Sequence, residues 1–199
     1  MTPQRLLACC MVMAATGCNF HVIVPGSNFP DSGIVCSDAG LGAATVSGSD
    51  AFQVGAAYQH VAEVIDNDSG VVMDRSVFIT LLGRATACGV APEPGPQLAL
   101  SLFDPSGSYG PGDYLAGSQQ LAGACACVTG PDGGRGALVG LVDSSDGGNG
   151  ARFASGGVVH VTAFGACSVS GSFDVRFSTP DGGDAGGLSG TFDPVYCAH

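Results

Sequence analysis

The stretch that decides the fold is Ser168-Val169-Ser170-Gly171-Ser172-Phe173-Asp174-Val175-Arg176-Phe177-Ser178. Every second residue is apolar or glycine, and every residue between them is polar or charged. Successive side chains of a β-strand point to opposite faces, so a period of two places the apolar set on one face and the polar set on the other. The stretch therefore predicts a strand with one buried and one solvated face.

The same alternation continues on both sides of this strand. Val159–Ala163 precedes it, and Leu188–Asp193 follows it after the turn residues Pro180–Asp184. Three alternating runs joined by short turns are typical of an antiparallel β-meander.

Shorter apolar runs separated by glycine, proline and aspartate fill the rest of the chain, and only His60–Ile65 fits a short helical turn. We expect an all-β fold, namely an antiparallel β-sandwich, immunoglobulin-like in architecture and stapled by disulfides, with a small β-barrel as the alternative. The earlier runs that predict strands are Phe52–Tyr58, Val77–Leu82, Leu98–Phe103, Asp113–Ala116 and Ala137–Val142.

The N-terminus has the pattern of a secretory signal peptide. Arg5 precedes the apolar run Leu6–Ala15, and small residues follow it. The run is shorter than the roughly 20 residues that a transmembrane helix needs. We therefore expect residues 1–17 to be a signal peptide.

The sequence Ala15-Thr16-Gly17-Cys18 resembles the lipobox of bacterial lipoproteins. The resemblance implies cleavage before Cys18, a diacylglyceryl group on its sulfur and an acyl chain such as palmitate on its amine. Asn19, where an aspartate would favour retention in the inner membrane, implies the outer membrane of a Gram-negative bacterium. The alternative is an ordinary signal peptide that leaves Cys18 a plain thiol. In the lipoprotein, residues 18–42 comprise the lipidated Cys18 and a flexible tether, and residues 43–199 form a single β domain.

A broader resemblance covers about residues 43–197. It implies an exported, cysteine-bearing, all-β protein and nothing about activity. The segments that are similar to uncharacterised all-β lipoproteins of high-GC Gram-negative bacteria are Gly112–Tyr114, Gly157–Thr162, Val169–Val175 and Leu188–Cys197.

The charge balance excludes several classes of protein. Acidic residues number 17 against six arginines, there is no lysine, and the net charge is −11. Such a chain repels nucleic acid, which we exclude as a partner. Without lysine there can be no Schiff-base or P-loop lysine chemistry.

The chain has nine cysteines, of which Cys9 and Cys10 leave with the signal peptide and Cys18 carries the lipid. Six remain, and an even number in an exported protein predicts three disulfides with fifteen possible pairings. Cys125 and Cys127 would share one face of a strand, so each should bridge to a different partner. A metal site built on their two thiolates is the alternative, but their spacing does not fit a zinc knuckle. The disulfide candidates are Cys36, Cys88, Cys125, Cys127, Cys167 and Cys197.

No motif for catalysis appears in the chain. There is no Gly-x-Ser-x-Gly. Of the four histidines, His21 lies in the tether and His199 is the C-terminal residue, which leaves His60 and His160 within the strands of the predicted domain. Glu63 follows His60 by three residues, which on a helix would bring both side chains to one face, but a solvated turn is the favoured explanation. His160 falls on the solvated face of its strand and is interpreted as a surface histidine.

Three acidic loops, Asp66–Gly70, Asp143–Asn149 and Asp181–Asp184, offer oxygen ligands for calcium, but none has the spacing of a calcium-binding loop. Tyr109 and Tyr114 are the only candidates for an aromatic carbohydrate platform, but packing over the sheet edge is the favoured explanation of both. We therefore assign no catalytic residue, no metal and no cofactor.

The sequence favours a lipid-anchored module of the cell envelope without catalytic activity, either structural or binding. Its expected partners are the bilayer, through acylated Cys18, and an envelope protein or glycan. The alternative is an envelope hydrolase whose active site matches no motif.

Overall fold

The computed structural model describes residues 20–23, 40–66, 72–87, 90, 93–104, 106–117, 120–121, 128–129, 134–143, 151–165, 167–179 and 181–197. All regular secondary structure among these residues is β-strand, which confirms the predicted fold class. In chain order the strands are β1 Phe20–Ile23, β2 Ala43–Gly48, β3 Ala56–Asp66, β4 Val72–Leu82, β5 Pro96–Phe103, β6 Gly112–Gly117, β7 Gln120–Leu121, β8 Val128–Thr129, β9 Gly136–Asp143, β10 Ala151–Phe164, β11 Val169–Ser178, β12 Asp184–Asp193 and β13 Val195–Tyr196.

One sheet contains all of the described strands except the pair β7–β8. Its order is β1-β3-β4-β5-β9-β6-β10-β11-β12-β2, and the pairs are antiparallel apart from β6 with β9 and β13 with β3. The predicted meander is present as β10, β11 and β12.

The two ends of this sheet approach each other. β13 directly follows β12 and pairs with β3, where Val195 lies opposite Tyr58. Just before β2, the carbonyl oxygen of Leu41 accepts a hydrogen bond from the amide of Ala57 in β3, at 2.6 Å. The sheet is therefore nearly closed into a barrel, which matches the alternative named from the sequence.

The preferred expectation, a sandwich of two packed sheets, is not what the structure shows. Inward-facing side chains from β2, β3, β4, β5, β6, β9, β10, β11 and β12 join one continuous core. They pack across the inside of one curled sheet, which buries the apolar faces as completely as a second sheet would. The largest fully buried side chains of this core include Tyr114, Phe177, Phe192, Ile79 and Leu100.

The interior of the β11–β12 hairpin pairs large residues with glycine. Phe173 lies opposite Gly190, and Gly171 lies opposite Phe192. Each phenylalanine occupies space that the opposite residue, lacking a side chain, leaves open. Alternating large and small residues is a usual way of filling a small barrel.

Three local predictions need correction. His60–Ile65 is not a helical turn but part of β3, where it pairs with β4. Phe52–Tyr58 is a strand only from Ala56 onwards, although Phe52 still packs against the core. Within the predicted tether, residues 20–23 form β1 and pair with β3. No helix in the described part of the chain has the length and apolar character needed to cross a membrane.

Of the six predicted disulfide cysteines, Cys167 and Cys197 lie within the described residues, and both are disulfide-bonded. Cys197 is buried beside Tyr58 in a small second cluster outside the main core. The complete pairing scheme stays a prediction, as does the lipidation of Cys18. The other cysteines of the chain lie outside the described residues, namely Cys9, Cys10, Cys18, Cys36, Cys88, Cys125 and Cys127.

Candidate functional site

The outer surface of the barrel carries a row of polar side chains that crosses five neighbouring strands. The register places one residue from each of β6, β10, β11, β12 and β2 in line. Adjacent strands lie about 4.8 Å apart, so the row spans about 19 Å of sheet. We call it the polar row, and its members are Asp113, His160, Ser172, Thr191 and Thr45.

Asp113 and His160 form the charged end of the polar row. Nδ1 of His160 lies 2.5 Å from Oδ1 of Asp113, and the two side chains are 51% and 63% exposed, respectively. The backbone that carries the pair is fixed by the core, because the adjacent residues Tyr114 and Val159 point into it from the same two strands. The imidazole is thus oriented by the carboxylate while the Nε2 side of the ring faces away from it.

Hydroxyl groups form the rest of the polar row and its surroundings. Oγ1 of Thr45 lies 2.9 Å from Oγ1 of Thr191. Two residues further along strands β10 and β11, Thr162 donates a hydrogen bond of 3.0 Å to the carbonyl oxygen of Ser170. A hydroxyl both donates and accepts, so this surface can bond to donors and acceptors alike.

The order carboxylate, imidazole, hydroxyl in Asp113, His160 and Ser172 follows that of a hydrolase triad. No hydrogen bond joins His160 to Ser172, although both are described. Ser172 lies on β11, which is paired on both sides, so its neighbouring amides belong to the sheet and do not converge on an oxyanion. The arrangement therefore lacks a hydrogen bond between base and nucleophile and a set of amides that could bind an oxyanion, both of which acyl transfer needs.

His60, the other candidate histidine, lies elsewhere. Its ring stacks on Phe78 of β4, with centroids 5.0 Å apart and an angle of 7° between the ring planes. Strands β4, β5, β9 and β6 separate β3 from β10 along the sheet. The two histidines therefore do not share a site.

The most extensively bonded ion pair joins Asp104, after β5, to Arg135, before β9. Nε of Arg135 donates to Oδ2 of Asp104 at 2.7 Å, and its two terminal nitrogens donate to the carbonyl oxygens of Ser108 and Pro111 at 2.8 and 3.0 Å. The guanidinium also lies over the ring of Tyr114, 5.3 Å from its centroid. One side chain thus holds the loop between β5 and β6 against the barrel end.

Burial of Asp104 raises its pKa, but hydrogen bonds from Ser106 and Arg135, together with the positive charge of Arg135, outweigh burial and lower the pKa below the usual value. The carboxylate is 3% exposed and is already fully engaged. We interpret this pair as structural.

The acidic turn Asp181–Asp184 uses its carboxylates locally. Asp181 accepts a hydrogen bond from the Thr179 hydroxyl, which together with backbone amides lowers its pKa, and Asp184 accepts one from the amide of Gly186 at 2.8 Å. Such bonds are the usual role of aspartate in turns. Residues 67–70 and 144–149 of the other two loops lie outside the described residues. Where the chain is described, no three metal-ligating side chains cluster.

The two tyrosines considered as a carbohydrate platform pack instead. Tyr114 is completely buried, and its hydroxyl donates to the carbonyl oxygen of Gly110 at 3.1 Å. Tyr109 is half-buried and stacks on Phe164 with centroids 6.0 Å apart.

In comparisons with known proteins, the chain matches no protein family, no curated protein and no solved structure. The candidate site therefore stands on its geometry. Sequence reasoning identified His160 as a surface residue but missed the other four members of the polar row. Alternation marks Ser172 and Thr191 as solvated, but it predicts no strand at Thr45 and no solvated face at Asp113. The strand register that aligns all five is set by pairing in three dimensions.

Proposed function

We propose that this protein is a lipid-anchored module of the cell envelope, without catalytic activity, that binds a glycan through the polar row. The observation that carries the proposal is the alignment of Asp113, His160, Ser172, Thr191 and Thr45 across five strands of a rigid barrel. Glycans present many hydroxyl groups, and this surface offers matching donors and acceptors at fixed positions.

The composition of the surface favours a glycan over a protein partner. Protein interfaces are enriched in aromatic residues and depleted in serine and aspartate. Around the polar row, exposed positions are Ser47, Ser189 and Asp174. The carboxylates Asp113 and Asp174 disfavour uronic acids and other anionic sugars, so we expect neutral or amino sugars.

The test is titration of the protein with neutral, amino-sugar and uronic-acid oligosaccharides from the envelope, observed by NMR. Thr191→Val removes a hydroxyl of the polar row and should weaken binding several-fold. Thr80→Val makes the same change on β4, on the opposite side of the barrel, and should leave binding unaltered. Equal affinity of both variants and the parent chain, or no binding at all, would refute the proposal.

The alternative, an envelope hydrolase, has one observation in its favour, the oriented Asp113–His160 pair beside Ser172. It predicts that Ser172 reacts with a fluorophosphonate and that His160→Gln abolishes the reaction. Labelling that survives Ser172→Ala, or no labelling, counts against this alternative.

A further inference from the structure

Beside the polar row, two neighbouring strands carry apolar side chains on the outer surface of the barrel. Val158 of β10 lies opposite Leu115 of β6, two residues along both strands from the charged end of the polar row. Both side chains point outward, because the residues next to them in the sequence, Tyr114 and Val159, point into the core. Leu115 and Val158 are partly exposed, and we call them the apolar pair.

Polar side chains border the apolar pair on two sides. Asp113 and His160 lie beside it along the strands, and Asp174 of β11 lies opposite Val158 and is exposed. Two residues before Val158 on β10 is Gly156, where a Cβ would meet nothing within 4 Å. The apolar pair is therefore open on the side of residue 156 and has charged groups or an imidazole beside it on the others.

The apolar pair has the size of one small ligand group. On one side of it Leu115 lies beside Gly136 of β9, which has no side chain, and on the other the line continues with Asp174 and Ser189. Apolar contact thus ends after two side chains, whereas exposed patches that bind proteins or membranes extend over several hundred Å². The ligand that fits is polar and carries a single methyl group.

An acetamido group on a sugar ring has this character, because its methyl is apolar and its amide N–H donates a hydrogen bond. Asp174 lies directly opposite Val158, so the two Cβ atoms are about 5 Å apart and a carboxylate is within reach of that N–H. The methyl carbon and the ring carbon across a trans amide are 3.8 Å apart. Outward side chains two residues apart on one strand are about 7 Å apart. A methyl on Val158 therefore places the sugar ring between the apolar pair and the polar row.

We propose that the glycan bound by the polar row is built of N-acetylated amino sugars, with one acetamido methyl on Leu115 and Val158 and its N–H donated to Asp174. This inference rests on the glycan binding in the proposed function and specifies which sugar is recognised. A sugar with a hydroxyl at that position leaves the apolar pair uncovered. A free ammonium group loses part of its hydration against two apolar side chains, which is unfavourable.

The test compares three β-1,4-linked trisaccharides that differ only at carbon 2 of each ring. The first carries acetamido groups (N-acetylglucosamine), the second ammonium groups (glucosamine) and the third hydroxyl groups (glucose). Each is titrated into the protein and observed by NMR. We expect the acetamido trisaccharide to bind at least about fourfold more tightly than the hydroxyl trisaccharide, which is the gain from burying one methyl group.

Val158→Thr keeps the β-branched shape and replaces one methyl group of the apolar pair by a hydroxyl. It should weaken binding of the acetamido trisaccharide about fourfold and leave that of the hydroxyl trisaccharide unaltered. Val142→Thr is the matched control, because Val142 lies opposite Ala151, roughly 20 Å along β10 from Val158. Thermal melts verify that both variants fold. Nuclear Overhauser effects between the acetamido methyl and the methyl groups of residues 115 and 158 test the contact in the unaltered chain.

Three results would overturn the acetamido site while glycan binding stands. They are equal affinity for the acetamido and hydroxyl trisaccharides, tightest binding of the ammonium trisaccharide, and Overhauser effects from the acetamido methyl to other residues only. The second result would mean that Asp174 recognises a cation instead. If none of the three trisaccharides binds, the failure is that of the proposed glycan-binding function itself, and the acetamido site falls with it.

Discussion

The ring of Phe173 lies over Gly190 on the neighbouring strand, with Cζ 2.8 Å from the point that a Cβ on residue 190 would occupy. The same Cβ would collide with the carbonyl oxygen of Thr45 on β2. Glycine is therefore required where three strands of the barrel meet one aromatic ring, because neither the ring nor the backbone can move aside freely.

We expect Gly190→Ala to lower the free energy of unfolding by about 1–3 kcal/mol, the usual cost of overpacking a core. Chemical denaturation measures the change. Gly156→Ala is the matched control, because a Cβ there meets nothing within 4 Å and the strand position accepts a side chain. Equal losses in the two variants would contradict the crowding explanation.

Arg135→Lys should destabilise the protein by about 1–2 kcal/mol, because an ammonium group cannot reach Asp104 and the carbonyl oxygens of Ser108 and Pro111 at once. Arg84→Lys is the control. The Arg84–Glu93 pair is 61% and 69% exposed, and such pairs contribute at most about 1 kcal/mol. A larger loss for Arg84→Lys than for Arg135→Lys would show that the Asp104 ion pair is not a principal support of this loop.

Asp104 should contribute to acid sensitivity. Its pKa is lowered in the folded state, so its stabilising effect is present above the ordinary aspartate pKa of about 3.9 and is lost as the pH falls through the folded value. Asp104→Asn should lower the free energy of unfolding at neutral pH. It should also reduce the loss of that free energy as the pH falls below about 4. Unfolding curves across this range test both effects. A fall as steep as that of the parent chain would mean that other carboxylates control the acid transition.

Asp113→Ala should separate binding from folding. The Asp113–His160 pair is more than half exposed, so its loss should change stability by less than about 1 kcal/mol. Glycan affinity should fall, because His160 loses the group that orients it. Thermal unfolding and the NMR titration are measured on the same sample. A large loss of stability would make the pair a structural element and weaken the case for the polar row.

Intact mass after alkylation, measured with and without prior reduction, tests the prediction of three disulfides. We expect alkylation to modify six thiols only after reduction, in agreement with the bonded state of Cys167 and Cys197. Each bridge typically stabilises by about 2–4 kcal/mol, so reduction should lower the melting temperature strongly. Free thiols in the unreduced protein would refute the three-bridge scheme.

The strands could be predicted from sequence wherever one face meets solvent, as in Val169–Ser178, because the period of two is then visible. Closure of the sheet could not be predicted, since alternation reports which face is buried and not what covers it. A sandwich and a barrel bury the same inward residues of β11. The His60–Ile65 segment was assigned wrongly because spacing of three residues suggested a helical face, whereas pairing with β4 decides its structure.

Even less of the candidate site than of the fold could be predicted from the sequence. His160 was recognisable as solvated, but its neighbours Asp113 and Ser172 are distant in sequence and meet it only through strand register.

The parallel pairing of β13 with β3 has a consequence for the order of folding. Val195 pairs with Tyr58, so this contact between the two ends of the sheet joins segments from opposite ends of the β domain. High contact order slows folding, since loop-closure entropy must be overcome before the pairing stabilises anything. If the chain is exported N-terminus first, as the proposed function requires, the barrel stays open until almost all of the domain has crossed the membrane, and it closes on the far side.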